Sequence, residues 1–214
     1  MISRRFVLVC AALSLAACNA PSRSMSVAEL NTYRIADIGV TLAPGVSGRN
    51  TAFETAFAAS RGAVVPVRDG TPESTAVAPR TASTDYFAII SSPEAEVFYR
   101  QRTIEILRGE MDKQVGRALL GQRPARLDVV ITSLTLPNEA MRILVSQHHV
   151  MKATITMRDA TSGQALMVYP DMTMLIDGGG GLVGTFLVPA LAGGPVERLG
   201  AQMAGNYRNW LLQN

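Results

Sequence analysis

The sequence is short of the residues that most site chemistry requires. Histidine occurs twice, as the neighbours His148 and His149, and lysine does not occur after Lys152. Adjacent residues on a strand point to opposite faces, so the two histidines cannot jointly grip one metal ion in the usual geometry. The tetraglycine Gly178–Gly181 sits between a strand-like and a helix-like stretch, where a phosphate loop would lie. It lacks the Gly-Lys-Ser/Thr that places an ammonium on the phosphates and a hydroxyl on magnesium, so it reads as a hinge. The G-x-S-x-G elbow of a serine hydrolase is absent, and Ser162-Gly163 is better explained as a hairpin turn. Glu94 and Glu96, two apart, face different ways on a helix and are sufficiently explained by its dipole. No catalytic constellation, cofactor site or metal-ligand set is therefore expected. Aromatic residues are only 6% of the chain and form no pattern with a basic stripe, which excludes nucleic acid as a partner. A membrane-spanning helix needs about 20 apolar residues. Neither Phe6–Ala17 nor Leu182–Ala192 reaches that length. No repeat of 20 to 50 residues occurs, and 18 glycines with 11 prolines are close to average usage.

What is present is one core's worth of chain, 214 residues of which 48% are apolar, preceded by an address. Met1–Arg5 carries Arg4 and Arg5 and no acid, and Phe6–Ala17 is apolar except for Ser14. A charged segment followed by a short apolar one is the pattern of an export signal. The run ends Leu15-Ala16-Ala17-Cys18. This tetrad resembles the lipobox of bacterial lipoproteins, and the resemblance implies cleavage before Cys18 and acylation of its thiol. Cys10 would leave with the signal, so Cys18 would be the sole cysteine of the mature chain and an intrachain disulfide is impossible. Several acyl chains, at about 0.8 kcal/mol per buried methylene, would make the anchor essentially permanent. Asn19 rather than Asp after the cysteine resembles the sorting pattern for the periplasmic face of the outer membrane. The net charge of +3 includes Arg4 and Arg5, so the body from Cys18 onward is nearly neutral, with 18 basic and 17 acidic residues.

Residues 18–30 read as a lipidated tether and 31–214 as a single periplasmic domain. Tyr33–Leu42 alternates and predicts a first strand, stopped by Pro44-Gly45. Phe53 and Phe57, four apart, predict a short helix over Thr51–Ser60. Gly62–Thr84 reads as an irregular loop and Tyr86–Ile90 as a short edge strand. Ser92-Pro93 is a helix start. The helix is expected to reach about Leu120, stopping at Gly121, with Val97, Ile104, Leu107, Met111, Val115 and Leu119 inward. Arg100, Arg102, Glu105, Arg108, Asp112 and Lys113 would form its solvated face. Strands are expected over Leu127–Leu136, Val150–Arg158 and Gln164–Tyr169, the last continuing over Met172–Ile176 beyond an interruption at Pro170. Asp159–Gly163 supplies the turn between two of them. A final helix from about Val196 to Leu212 would turn Val196, Leu199, Met203, Tyr207 and Trp210 inward, with Gly200 and Ala204 letting it lie close to the sheet. Leu182–Ala192 is open to core packing, contact with a membrane leaflet or partner, or self-association.

The expected fold is α+β: an antiparallel meander of three to four strands packed against a long helix and a C-terminal helix. That layout, with the hairpin Met157–Leu166, resembles small uncharacterised envelope lipoproteins of alphaproteobacteria. It is more weakly similar to auxiliary lipoproteins of ABC-type envelope transporters and of curli-type secretion. The likeness covers about Met111–Tyr169. It implies a non-enzymatic accessory or scaffold protein, held to the membrane by its lipid and serving an envelope protein partner, with Cys18 as the functional residue. A different class of function, a lipid- or small-ligand-binding module, would use the methionines of the sheet face together with Leu182–Ala192.

Overall fold

The computed structural model describes residues 24–63, 80–137, 148–176 and 193–213. Cys18, the tetraglycine Gly178–Gly181 and Leu182–Ala192 lie outside the described residues. The fold is α+β. In chain order it comprises α1 (Val27–Leu30), β1 (Tyr33–Leu42), α2 (Thr51–Ser60), α3 (Arg80–Ile90), α4 (Pro93–Val115), β2 (Arg123–Thr135), β3 (His149–Asp159), β4 (Ala165–Ile176) and α5 (Pro195–Leu212).

The strands form one sheet in the order β1-β2-β3-β4. The last three are the expected antiparallel meander. β1 joins its edge in parallel with β2, which the helical crossover through α2, α3 and α4 makes possible. Alternation fixes which face is covered. Ile38, Val40 and Leu42 of β1 pair with Leu127, Val129 and Ile131 of β2, and these with Met157, Ile155 and Ala153 of β3. All nine are buried, and Met167, Met172 and Met174 of β4 complete the row. The opposite face carries a cross-strand charge ladder: Arg126 Nε lies 2.7 Å from Asp128 Oδ1 and 3.7 Å from Asp37 Oδ2, and Arg158 Nε lies 2.9 Å from Asp128 Oδ2.

The β3–β4 turn has the expected mechanism. Asp159 Oδ1 accepts from the backbone N–H of Thr161 and of Ser162 at 3.0 Å, and Gly163 takes φ +75°. At Pro170 the ladder slips between Ala153 and Ile155, with Asp171 at φ 47°, so the two halves of β4 both turn methionines inward across a bulge.

Two helices cover the methionine face. α5 turns Val196, Leu199, Met203, Tyr207 and Trp210 inward as the spacing predicts. Of the two small residues expected to lie against the sheet, Gly200 lies against α4 instead. A Cβ on Gly200 would stand 3.0 Å from Leu107 Cδ2 and 3.3 Å from Glu110 Cβ, so this glycine lets α5 approach α4.

α4 starts where expected, with Ser92 Oγ accepting from Ala95 N–H at 3.2 Å and Pro93 in the first turn. Its buried stripe is Ala95, Tyr99, Thr103, Leu107, Met111 and Val115, a strict spacing of four. Val97, expected inward, is 54% exposed, because aligning on it rotates the stripe away from the bulkier Tyr99. The helix ends at Val115 rather than near Leu120. Gly121 does not stop it; a Cβ there would collide with the backbone of Thr32 and Tyr33, so this glycine permits the close crossing of two chain segments.

α3 replaces both the irregular stretch expected over 80–84 and the edge strand expected over Tyr86–Ile90. Tyr86 and Ile90, four apart, pack with Ala58 of α2 while Phe87 is 56% exposed, which is a helix's division of sides rather than a strand's. Five apolar residues carry no period long enough to tell the two apart.

Candidate functional site: the end of the sheet crossed by residues 24–33

Residues 24–33 run across one end of the sheet, where β1 and β2 begin, β3 ends and β4 begins. Ser24 Oγ donates to the backbone carbonyl of Leu166 at 2.8 Å, which ties the chain to the start of β4. Ser26 and Glu29 form a reciprocal cap on α1: Glu29 N–H donates to Ser26 Oγ at 3.3 Å, and Ser26 N–H donates to Glu29 Oε2 at 2.9 Å. That backbone N–H, followed by the Ser26 hydroxyl, holds the Glu29 carboxyl below the usual carboxylate range. Leu30 is fully buried and closes the end of the core. The chain therefore leaves the domain from a fixed point rather than through a loose terminus.

The neighbouring strands brace this end. Arg123 N–H donates to Thr32 O at 2.9 Å and Gly121 N–H to Tyr33 O at 2.7 Å. The Arg123 guanidinium lies over the Tyr33 ring, 4.4 Å from its centroid, and 3.0 Å from Asp159 Oδ2. The Ser162 backbone N–H is the main reason the Asp159 carboxyl sits below its ordinary range; the Thr161 N–H and Arg123 add to it against the cost of burial.

The other residues weighed from the sequence fall elsewhere. His149 is buried on the methionine face and His148 is exposed just before β3. Among the described residues no group of three or more His, Cys, Asp or Glu side chains is placed to hold a metal ion. Glu94 and Glu96 occupy the first turn of α4, and Glu96 accepts from Ser47 Oγ at 3.0 Å. No helix among the described residues is long and apolar enough to cross a membrane.

One charge of α4 departs from the solvated face expected of it. Arg100 is partly buried and donates to three carbonyls of the segment after β1: Leu42 O at 2.9 Å, Ala43 O at 3.4 Å, and Val46 O, the closest of the three. Each of the two arginines has an acid within one helical turn, Glu96 before Arg100 and Glu105 after Arg102, so it is the tertiary path of residues 42–46 that sets Arg100 apart.

No protein-family model matches the chain, and no curated protein matches it. Among solved structures it is similar to a candidate lipoprotein from Caulobacter crescentus CB15, with 15% sequence identity and a TM-score of 0.30 over 53% of this chain and 86% of that one.

Proposed function

We propose that the chain is a lipid-anchored accessory lipoprotein of the bacterial cell envelope, non-enzymatic, acylated at Cys18 and lying on the periplasmic face of the outer membrane. In this reading it serves as a scaffold for an envelope protein in assembly or transport. The observation that carries it is the placement of Cys18: the only cysteine after residue 17 ends a lipobox-like tetrad, directly after a charged and then apolar leader. The outer-membrane part of the reading rests on Asn19 alone. Radiolabelled palmitate should enter the wild-type protein and not Cys18→Ser; equal incorporation refutes the anchor. Floating separated inner and outer membranes on a sucrose gradient tests the destination.

The ligand-binding alternative gains no support from the sheet. Met151, Met157, Met167, Met172 and Met174 are 3% exposed or less and pack in one cluster with residues of α4 and α5, so a ligand there would have to displace the protein's own core.

A further inference from the structure

We infer that the sheet end bearing Arg34, Arg117, Leu120 and Arg123 rests on the phospholipid surface that holds the anchor. The inference deepens the lipid-anchored reading and depends on it. Its first support is length. Six residue steps separate Cys18 from Ser24, and a fully extended chain of that size spans about 20 Å. β2, with 13 residues, is roughly 40 Å from end to end. Because Ser24 is bonded to Leu166 at the start of β4, a tether this short holds that end of the sheet nearest the bilayer.

The second support is the chemistry found there. Leu120 is 83% exposed, the most exposed large apolar residue among those described, and it bridges Arg34 at the start of β1. Arg34 and Arg117 are exposed beside it, and among the described residues neither is in a salt bridge. Two acids of this end are already engaged, Asp159 with Arg123 and the turn amides and Glu29 with Ser26, while Asp112 is exposed one turn before Arg117. An exposed leucine at a sheet end that also carries Arg34, Arg117 and Arg123 matches a layer whose outer surface is phosphate and whose interior is apolar. Core packing gives no reason for it, since Leu30 and Leu119 already close the core at this end.

The test uses the full chain, processed and extracted from membranes, as Leu120→Cys or Thr135→Cys labelled with the fluorophore NBD. Thr135 is at the far end of β2. Each protein is reconstituted into vesicles of phosphatidylethanolamine and phosphatidylglycerol, with or without a headgroup-nitroxide lipid, and the N-terminal peptide of the same sample is weighed by mass spectrometry. The expected result is loss of emission at 120 and none at 135. In an Arg34→Glu, Arg117→Glu background the loss at 120 should largely disappear while the protein stays on the vesicles. Equal quenching at both positions, or none at 120 in a protein with acylated Cys18, overturns the surface and leaves the anchor standing. A probe at 120 shielded from aqueous iodide but not quenched by the lipid means that protein covers this end, and also overturns it. Quenching that survives the charge reversal overturns the role of the arginines. An unmodified Cys18 removes the anchor and the inference together.

Discussion

Arg100 offers the sharpest contrast between a charge on a helix surface and a charge built into the fold. Replacing it by Met keeps much of the aliphatic stem and deletes the guanidinium. Three carbonyls, of Leu42, Ala43 and Val46, then lose a charged donor. Hydrogen bonds to charged groups contribute about 1.5–3 kcal/mol each when the partner would otherwise be left unsatisfied. The contact to Ala43 O is long, at 3.4 Å, and carbonyls near a partly buried site regain some water, so the net loss should be about 2–3 kcal/mol rather than the full sum. Lys at this position supplies one ammonium in place of a planar fork and should recover less than half of it. Arg102, two residues on, provides the control: it pairs with Glu105 at 3.1 Å on the exposed face, and Arg102→Met should cost no more than about 1 kcal/mol. Urea unfolding followed by the fluorescence of Trp210 reads both, through a fall in midpoint at constant slope. If Arg100→Met and Arg102→Met destabilise equally, the three-carbonyl contact has no energetic weight and the reasoning fails.

Other substitutions probe the core and the tethered end. Among the described residues the fully buried Tyr207 hydroxyl has no hydrogen-bond partner, and burial alone pushes its ionisation upward. Tyr207→Phe should therefore be neutral or stabilising by about 1 kcal/mol, and a melting temperature lowered by several degrees would contradict this. Gly121→Ala drives a Cβ into the Thr32 and Tyr33 backbone, which cannot yield as a side chain can. A loss of about 3 kcal/mol or more is expected, and a denaturation midpoint near the wild type would show that the crossing is looser than described. The lowered Asp159 carboxyl contributes stability that is fully present above about pH 4, where the unfolded carboxylate is charged, and is lost as pH falls through its lower folded value. Asp159→Asn should thus be less stable at neutral pH and should decline less on acidification than the wild type; parallel pH profiles would refute the linkage.

Strict periods were legible in the sequence, and so were turns with an identifiable residue requirement. Tyr33–Leu42 and Thr51–Ser60 match β1 and α2 residue for residue, and the Asp159 turn, the Pro170 interruption and the inward side of α5 follow from local chemistry alone. Sequence and structure part where several faces satisfy the same pattern. On α4 the polar Thr103 and the polar tip of Tyr99 disguise the true stripe, although both residues are fully buried. Tyr86–Ile90 is too short to carry a period. Gly200 could be recognised as a point of close approach, but not that its neighbour would be Leu107 of α4 rather than the sheet. Arg100 and Arg102 each have an acid within a helical turn, Glu96 and Glu105, and the carbonyls that set Arg100 apart lie more than fifty residues away in the sequence. For the candidate site the balance is reversed. The reading of Cys18 is entirely a matter of sequence, whereas the place where residues 24–33 cross the sheet emerges only when Ser24 meets Leu166, 142 residues apart.

Whether Cys18 becomes an acylated N-terminus can be read from the mass of the N-terminal proteolytic peptide of membrane-extracted protein. The expected peptide begins at Cys18 and carries the added mass of a diacylglyceryl group, with residues 1–17 gone. A peptide that begins at Met1, or at any residue other than Cys18, or a Cys18 of unmodified mass, contradicts it.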